Sequence, residues 1–288
     1  MSYEIDVVSK ISEIYNHLSD AEQKVATVIL DDLVFAANAS ITEIASKAEV
    51  SEATITRFAK SVNCKNVRSL KLKLAQSVAV GQRFISESKV EPSGIFGIYE
   101  SIKKNLDDNA KLMSEDLINT IVDRFQEARQ VFAYGVGGGS TIMAQETQYR
   151  LFRLGFSVTA YSDPVLMRMA SSTVNQNDVI FCLSLSGCSP DVCEAAQIAQ
   201  QYGATIVSIT QKGSPLAQNS DFLIPIETEE TDYIFSPSTS RYAMLAAIDV
   251  LVTELAVKRK RTSREKLRRI KLTLDHHFHG NDRLPLGD

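Results

Sequence analysis

The stretch CLSLSGCSPDVCEAAQ, residues 182–197, ends an apolar run in three serines and a glycine just before a helical pattern begins. Serine hydroxyls donate to phosphate oxygens without adding charge, and glycine lets backbone N–H groups approach an anion closely. A helix starting at the same place adds favourable partial charge. Ser184, Ser186, Gly187 and Ser189 are therefore candidates for a phosphate cradle, although a plain strand-to-helix turn uses the same residue types. Two further segments share this chemistry. YGVGGGST ends at Ser140 as a helix opens, and ITQKGSPLA carries Thr210 and Ser214.

These segments need a frame that brings them together. From Gln130 onward, short runs rich in β-branched and apolar residues (131–135, 158–161, 178–184, 204–210 and 221–226) alternate with stretches of helical pattern. That alternation predicts crossover units, a parallel sheet and an α/β layer fold. Ligands in such sheets settle outside the carboxyl ends of the strands, where all three serine-bearing loops would lie. Helical pattern is also expected from about Tyr99 to Ala128, and an apolar helix over 239–257 closes the domain. The expected organisation is a helical domain over 1–80, a linker over 81–100, the α/β domain over 101–260, and a basic helix and tail over 261–288.

The first 80 residues read as consecutive short helices. Ser19–Glu22 and Ser40–Glu43 are S/T-x-x-E capping boxes, and Ser51 opens a helix with Ile55, Phe58, Ala59 and Val62 on its apolar face. The gap between the helix from Ile41 and the helix from Glu52 is the short elbow of a helix-turn-helix. From Ala53 to Ser86 there is no Asp or Glu, while Arg57, Lys60, Lys65, Arg68, Lys71, Lys73 and Arg83 are basic. This acid-free run predicts contact with DNA. Ser51, Glu52, Thr54, Thr56, Arg57 and Lys60 are expected on the outer face of the second helix, where Thr54 and Thr56 would meet base edges and Arg57 a guanine or a phosphate. Lys65, Arg68, Lys71 and Lys73 would neutralise phosphates and set register.

The bulk numbers limit the alternatives. The chain has 288 residues, 44% hydrophobic and 23% charged, enough for two soluble domains. It shows no bilayer-length apolar run and no signal-peptide pattern, so a cytoplasmic location is expected. Cys64, Cys182, Cys188 and Cys193 form no CxxC pair, which predicts free thiols and no zinc site. A net charge of −4 argues against indiscriminate coating of nucleic acid. The four histidines, at 17, 276, 277 and 279, fall outside the α/β core. The bases nearest the predicted loops are Glu227, Glu229, Glu230 and Asp232, and Glu227 or Glu229 is expected to touch a hydroxyl of the ligand. A binding pocket without a catalytic pair favours sensing over chemistry, and no metal is expected.

The string SLSGCSPDVCEAAQIAQQYGATIVSITQKGSPLAQNSDFLI resembles the sugar isomerase (SIS) domain, whose phosphate loop runs S-x-S-G-x-[ST]. Ser184, Ser186, Gly187 and Ser189 fall on that loop. Ser140 falls on the serine of the Gly-rich first loop, here one residue longer than G-x-G-x-S. SPSTSRYAMLAAIDVL is similar to the closing S-R-x-x-x-L-x-x-I-D segment. The N-terminal string ASITEIASKAEVSEATITRFAKSVNCKNVRSLKLKLAQ resembles the DNA-binding domain of RpiR-type regulators, with Glu49 in place of the usual elbow glycine and NCKNVRSLK in place of a more aromatic G-F-x-G-F-x-E-F-K.

The two resemblances together imply an all-α helix-turn-helix domain followed by a doubly wound, five-stranded, flavodoxin-like α/β domain. They imply a regulator of sugar catabolism, a repressor by default, that binds double-stranded operator DNA as a homodimer or homotetramer. A phosphorylated sugar or sugar acid, with no further cofactor, would control it. YSDPVLMRMASS, ETDYIFSPSTSRYAMLAAIDVL and REKLRRIKLTL look most like the hexose-catabolism repressors. That similarity implies 2-keto-3-deoxy-6-phosphogluconate as effector, with amino-sugar phosphates next. The competing expectation is a sugar-phosphate isomerase carrying a degenerate helix-turn-helix.

Overall fold

A computed structural model describes residues 6–80, 94–227 and 238–277. They fall into two compact units, the first ending before residue 92 and the second comprising the later described residues. Among the described residues, no helix is long and apolar enough to cross a membrane.

The first unit is all helical: α1 (Val7–Ile14), a single 3₁₀ turn, α2 (Asp20–Asp31), α3 (Leu33–Asn38), α4 (Ile41–Lys47), α5 (Glu52–Ser61) and α6 (Val67–Val80). Its core joins Ile11, Val25, Ile29, Ile44, Ile55, Phe58, Leu70 and Leu74, each nearly or fully inaccessible to water. Both expected capping residues are in place. Ser40 Oγ accepts from the Glu43 N–H at 3.2 Å while the Glu43 carboxylate accepts from the Ser40 N–H at 2.6 Å. Glu22 likewise accepts from the Ser19 N–H at 3.2 Å.

α4 and α5 end in the same way. Val50 N–H donates to Ala45 O and Glu49 N–H to Ser46 O; at the next helix, Cys64 N–H donates to Ala59 O and Asn63 N–H to Lys60 O. Each is a Schellman ending, which requires one left-handed residue. Glu49 (φ 54°) and Asn63 (φ 58°) supply it. Asparagine tolerates this conformation, whereas glutamate pays for a Cβ set too close to the following carbonyl, about 1–2 kcal/mol. Glu49→Gly removes that strain and adds unfolded-state entropy, for a net gain of about 0.5–1 kcal/mol. Urea unfolding of the first unit should shift to higher concentration, and an unchanged or lower midpoint contradicts the argument.

Asp6 caps α1, accepting from the N–H groups of Val8 and Ser9, and also takes a 2.5 Å hydrogen bond from Ser77 Oγ on α6. Partial burial pushes its carboxyl upward, but the Ser77 hydroxyl and the two amides outweigh it, and the folded pKa lies below the ordinary carboxylate value. The carboxylate is thus the form the fold prefers. Its contribution is complete above the unfolded value and disappears as pH falls through the folded one. Asp6→Asn should therefore flatten the acid limb of the first unit's stability profile below about pH 4.

The second unit begins with α7 (Gly94–Ala110) and α8 (Glu115–Glu127). The expected linker therefore stops short of residue 100: α7 starts at Gly94, and IFGIYESIKK continues its helical turns. Residues 81–93 lie outside the described residues. Then β1 (Gln130–Tyr134), α9 (Gly138–Arg153), β2 (Val158–Tyr161), α10 (Pro164–Ser171), β3 (Asp178–Leu183), α11 (Pro190–Gln201), β4 (Thr205–Thr210), α12 (Pro215–Gln218), β5 (Phe222–Pro225), α13 (Thr239–Lys258) and α14 (Lys260–His277) follow.

The strands form one parallel sheet in the order β2-β1-β3-β4-β5. Alternation along the strands divides the core. Val131, Ala133, Val179, Phe181 and Leu183 face α8, α9 and α13, where Phe125 meets Phe181 edge to face with ring centroids 5.3 Å apart. Phe132, Tyr134, Ile180, Cys182 and Ile206 face α10 and α11. β3 is buried along its whole length, as expected of a central strand covered on both faces.

Candidate functional site

Strand order reverses at β1. β2 lies on one side of it and β3 on the other, so the chain leaves the carboxyl ends of β1 and β3 in opposite directions. Ligands in such sheets settle at a switch point of this kind, and Tyr134 and Cys182 are register partners at the ends of its two strands. Two of the serine-bearing loops leave from these two strands, and the third leaves from the adjacent β4.

The first loop is Gly135–Gly137. A Cβ on Gly135 would overlap the Ser140 carbonyl, so only glycine lets the first turn of α9 fold back against the strand. Gly137, at φ 87°, caps α9. Ser140 sits in that first turn and is buried. The second loop turns more sharply. Ser184 is buried, and its Oγ accepts the Gly187 N–H at 3.1 Å. Ser186 is exposed, and its Oγ accepts the Cys188 N–H at 3.3 Å. A hydroxyl that accepts from backbone keeps its own proton for another acceptor. Ser189 stands at the N-cap of α11 without a side-chain capping bond, so its hydroxyl is also uncommitted there.

Gly187 is the keystone. Its φ is 65°, and a Cβ there would overlap Ser214 Oγ and Thr210 Oγ1. Its carbonyl accepts from the Leu216 N–H at 3.0 Å, tying the second loop to the first turn of α12. In the third loop the two hydroxyls differ. Ser214 is fully used, donating to Gln211 O at 2.8 Å and accepting from Ala217 N–H at 3.2 Å. Thr210 is fully buried, and its Oγ1 has no hydrogen-bond partner. Leaving a buried hydroxyl unpaired costs about 1–3 kcal/mol. An oxygen-rich ligand entering beside Gly187 can supply an acceptor.

One cation also reaches this end of the sheet. Arg241, in the first turn of α13, is exposed, with its Nε 3.2 Å from where a Gly139 Cβ would lie. The guanidinium thus lies over the first turn of α9, next to Ser140. The residue pattern places Arg241 only in a closing helix, and its SR dipeptide is the available signal. Glu227 is exposed, and its N–H and C=O are paired with the amide of Asn109 at 2.8 and 3.1 Å. Glu229 lies outside the described residues. Burial pushes up the pKa values of Cys182, Cys193 and Tyr134; Tyr134 shares a 2.9 Å hydrogen bond with Ser171 that partly offsets the effect. Cys182 and Tyr134 are thereby held protonated, the wrong form for a nucleophile or base. Among the described residues, no group of three ligating side chains converges to hold a metal.

In the first unit, α4 and α5 form the helix-turn-helix, joined also by a 2.6 Å hydrogen bond from Thr42 Oγ1 to Glu52. Ser51, Thr56, Arg57, Lys60, Lys65 and Arg68 are exposed. Thr54 is a correction. Expected on the outer face, it is 4% exposed, with its hydroxyl 3.0 Å from Ser51 Oγ and 3.3 Å from Arg57 Nη2. It sits one turn after the N-cap and folds under Ser51, with its hydroxyl also against the Arg57 guanidinium. Ser51 itself is committed to the cap, accepting from the Thr54 N–H at 3.3 Å. Lys71 is half-buried and reaches the Asn38 carbonyl at the end of α3, 3.4 Å away, so its charge is partly engaged within the unit. Glu22 stays ionised because the Ser19 and Ser61 hydroxyls donate to it and Arg57 lies nearby.

A helix-turn-helix unit and an α/β unit with serine-rich loops at its switch point define a DNA-binding regulator with a built-in ligand domain. Residues 5–81 match the helix-turn-helix domain of the rpiR family, and residues 124–254 match the SIS domain. The chain belongs to the RpiR family of helix-turn-helix transcriptional regulators that carry a SIS domain. It is 33% identical to the HTH-type transcriptional regulator HexR of Pseudomonas aeruginosa over 273 residues, 93% of this chain and 95% of that one. It is 31% identical to HexR of Escherichia coli over 288 residues, 99% of each. Among solved structures, the Vibrio vulnificus NanR protein complexed with ManNAc-6P superposes with a TM-score of 0.60 at 23% identity, covering 96% of this chain and all of that one, a likeness of fold.

Proposed function

We propose that the protein is a cytoplasmic repressor of sugar catabolism that leaves its operator when a phosphorylated sugar or sugar acid binds between the three loops. The observation that carries this reading is the convergence at the switch point of Ser184, Ser186 and Ser189 with the unpaired, buried Thr210 hydroxyl. The phosphate rests on the second loop and the start of α11, and the sugar extends past Ser140 toward Arg241. Glu229 contacts a sugar hydroxyl. The likeness to HexR favours 2-keto-3-deoxy-6-phosphogluconate, and the ManNAc-6P complex of NanR makes amino-sugar phosphates the next candidates.

Operator contact falls to Ser51, Thr56, Arg57, Lys60, Lys65 and Arg68, with Thr54 and Lys71 supporting from behind. A homodimer, or a homotetramer built from two, presents paired heads to half-sites about one helical turn, or a multiple, apart. The effector must favour one arrangement of heads, since equal affinity for both shifts nothing. The protein works without turnover: the buried phenol and thiol at the ends of β1 and β3 are protonated, and the histidines belong to the helical unit and the C-terminal end.

A thermal-shift screen of phosphorylated sugars tests the site, because a ligand that binds only the folded form raises the melting temperature by mass action. The best hit should release operator DNA in a gel shift, and Ser184→Ala/Ser186→Ala should lose the thermal shift while keeping DNA affinity. Retained ligand affinity in that double variant misplaces the cradle. Turnover of fructose 6-phosphate or ribose 5-phosphate without any gel shift makes the protein an isomerase instead.

A further inference from the structure

The basic C-terminal helix is not a freely solvated rod. α14 packs on α9 and α13, and a groove of about 710 Å³ runs between the three. Its floor is apolar: Leu154, Val252, Ala256 and Leu267. Its rim carries Arg150, Arg153, Lys260, Arg264, Arg268 and Lys271, and no carboxylate lines it. Three of these cations are answered from outside the groove: Arg150 by Glu146 and Asp249, Arg268 by Glu265, and Lys271 by Asp275. Arg153, Lys260 and Arg264 have no carboxylate partner among the described residues.

Ser263 adds an independent sign. It lines the groove, is 3% exposed, and its hydroxyl has no partner, although a helical serine can bond back to the carbonyl four residues earlier. A buried, unpaired hydroxyl inside a cationic cleft calls for an acceptor from outside the chain.

These features select a ligand class. A bare phosphate would use the rim and leave the floor in water. A neutral hydrocarbon would use the floor and leave the cations unanswered. A duplex meets the rim with phosphates and has nothing apolar to lay on Leu154 or Leu267. An amphiphile with an apolar chain and a multiply charged end uses all three parts, and the volume is that of a small-molecule cleft. We propose that this groove binds a soluble anionic amphiphile of the acyl-coenzyme A class, its chain along the floor and its phosphates between Arg153, Lys260 and Arg264.

The proposal stands apart from the reading of the strand-end loops and is tested on the full chain by calorimetry with S-decyl-coenzyme A, a thioether that cannot acylate the exposed Cys188. One ligand per chain is expected, bound at least about tenfold more tightly than coenzyme A or decanoate alone, since either half forfeits the apolar or the ionic contribution. Arg153→Glu/Arg264→Glu should remove that binding. Val257→Asp should weaken it at an exposed groove position, which keeps the test valid if the double variant fails to fold. Coenzyme A binding as tightly as its S-decyl derivative reduces the groove to an ion exchanger and overturns the proposal. So do unchanged affinity in Val257→Asp, binding only to anionic phosphatidylglycerol vesicles, and a double variant that loses operator affinity while S-decyl-coenzyme A binding persists.

Discussion

Gly187→Ala is expected to abolish ligand response while leaving operator binding in place. Two effects add at this position. At φ 65° any side chain is strained by about 1–2 kcal/mol, and the new methyl would overlap the hydroxyl oxygens of Thr210 and Ser214. Thr210 has no room to retreat because it is fully buried, and Ser214 is fixed by both of its hydrogen bonds. Relief must therefore come from the loop, which swings Ser184 and Ser186 off their backbone donors. Overpacking of this kind costs about 1–3 kcal/mol, so the second unit should lose about 2–5 kcal/mol in total. Circular dichroism melting should show the α/β transition moving down while the helical transition stays put. The same variant in a gel shift should hold DNA with or without the sugar phosphate that releases the parent protein. A variant that still responds at parental concentrations would show that the second loop does not hold the ligand.

Arg57→Ala is expected to weaken operator binding by about 1–3 kcal/mol, roughly 5- to 150-fold. Arg57 is the exposed cation on the outer face of α5 whose aim is set by a neighbour, with Nη2 3.3 Å from the buried Thr54 hydroxyl. If it grips a guanine, the loss should be concentrated at one base position and relax specificity there. If it grips a phosphate, the loss should be even across sequences and the salt dependence should fall by about one ion. Competition gel shifts at two salt concentrations separate these outcomes. Thr54→Val should produce a smaller version of the same defect, because it removes the support and keeps the charge. Parental affinity in Arg57→Ala would remove α5 as the reading helix.

The residue pattern reported the second unit well because its signals are local. Five runs of β-branched residues gave five strands within about a residue at each end, and Ser51 and Ser189 stand where the helix starts were expected. Thr54 went astray for a physical reason. Periodicity assigns faces by polarity, and a polar side chain one turn inside an N-cap can satisfy itself against the cap and turn inward. Lys71 lies in an acid-free run, yet Glu43 and the Asn38 carbonyl come near it through folding. Arg241 is distant in sequence from the loop it overlies, and no spacing rule links the start of α13 to the start of α9. The unpaired hydroxyls of Thr210 and Ser263 are properties of packing and leave no trace in the string.

The two Schellman endings have an evolutionary consequence. The direction and length of α5 are set by main-chain hydrogen bonds at Glu49–Val50 and Asn63–Cys64, while the side chains of Thr56, Arg57 and Lys60 form no part of those bonds. Letters at those exposed places can therefore be exchanged without disturbing the frame that holds them. A lineage can retarget such a protein to a new promoter one surface substitution at a time, keeping fold and metabolite response intact throughout.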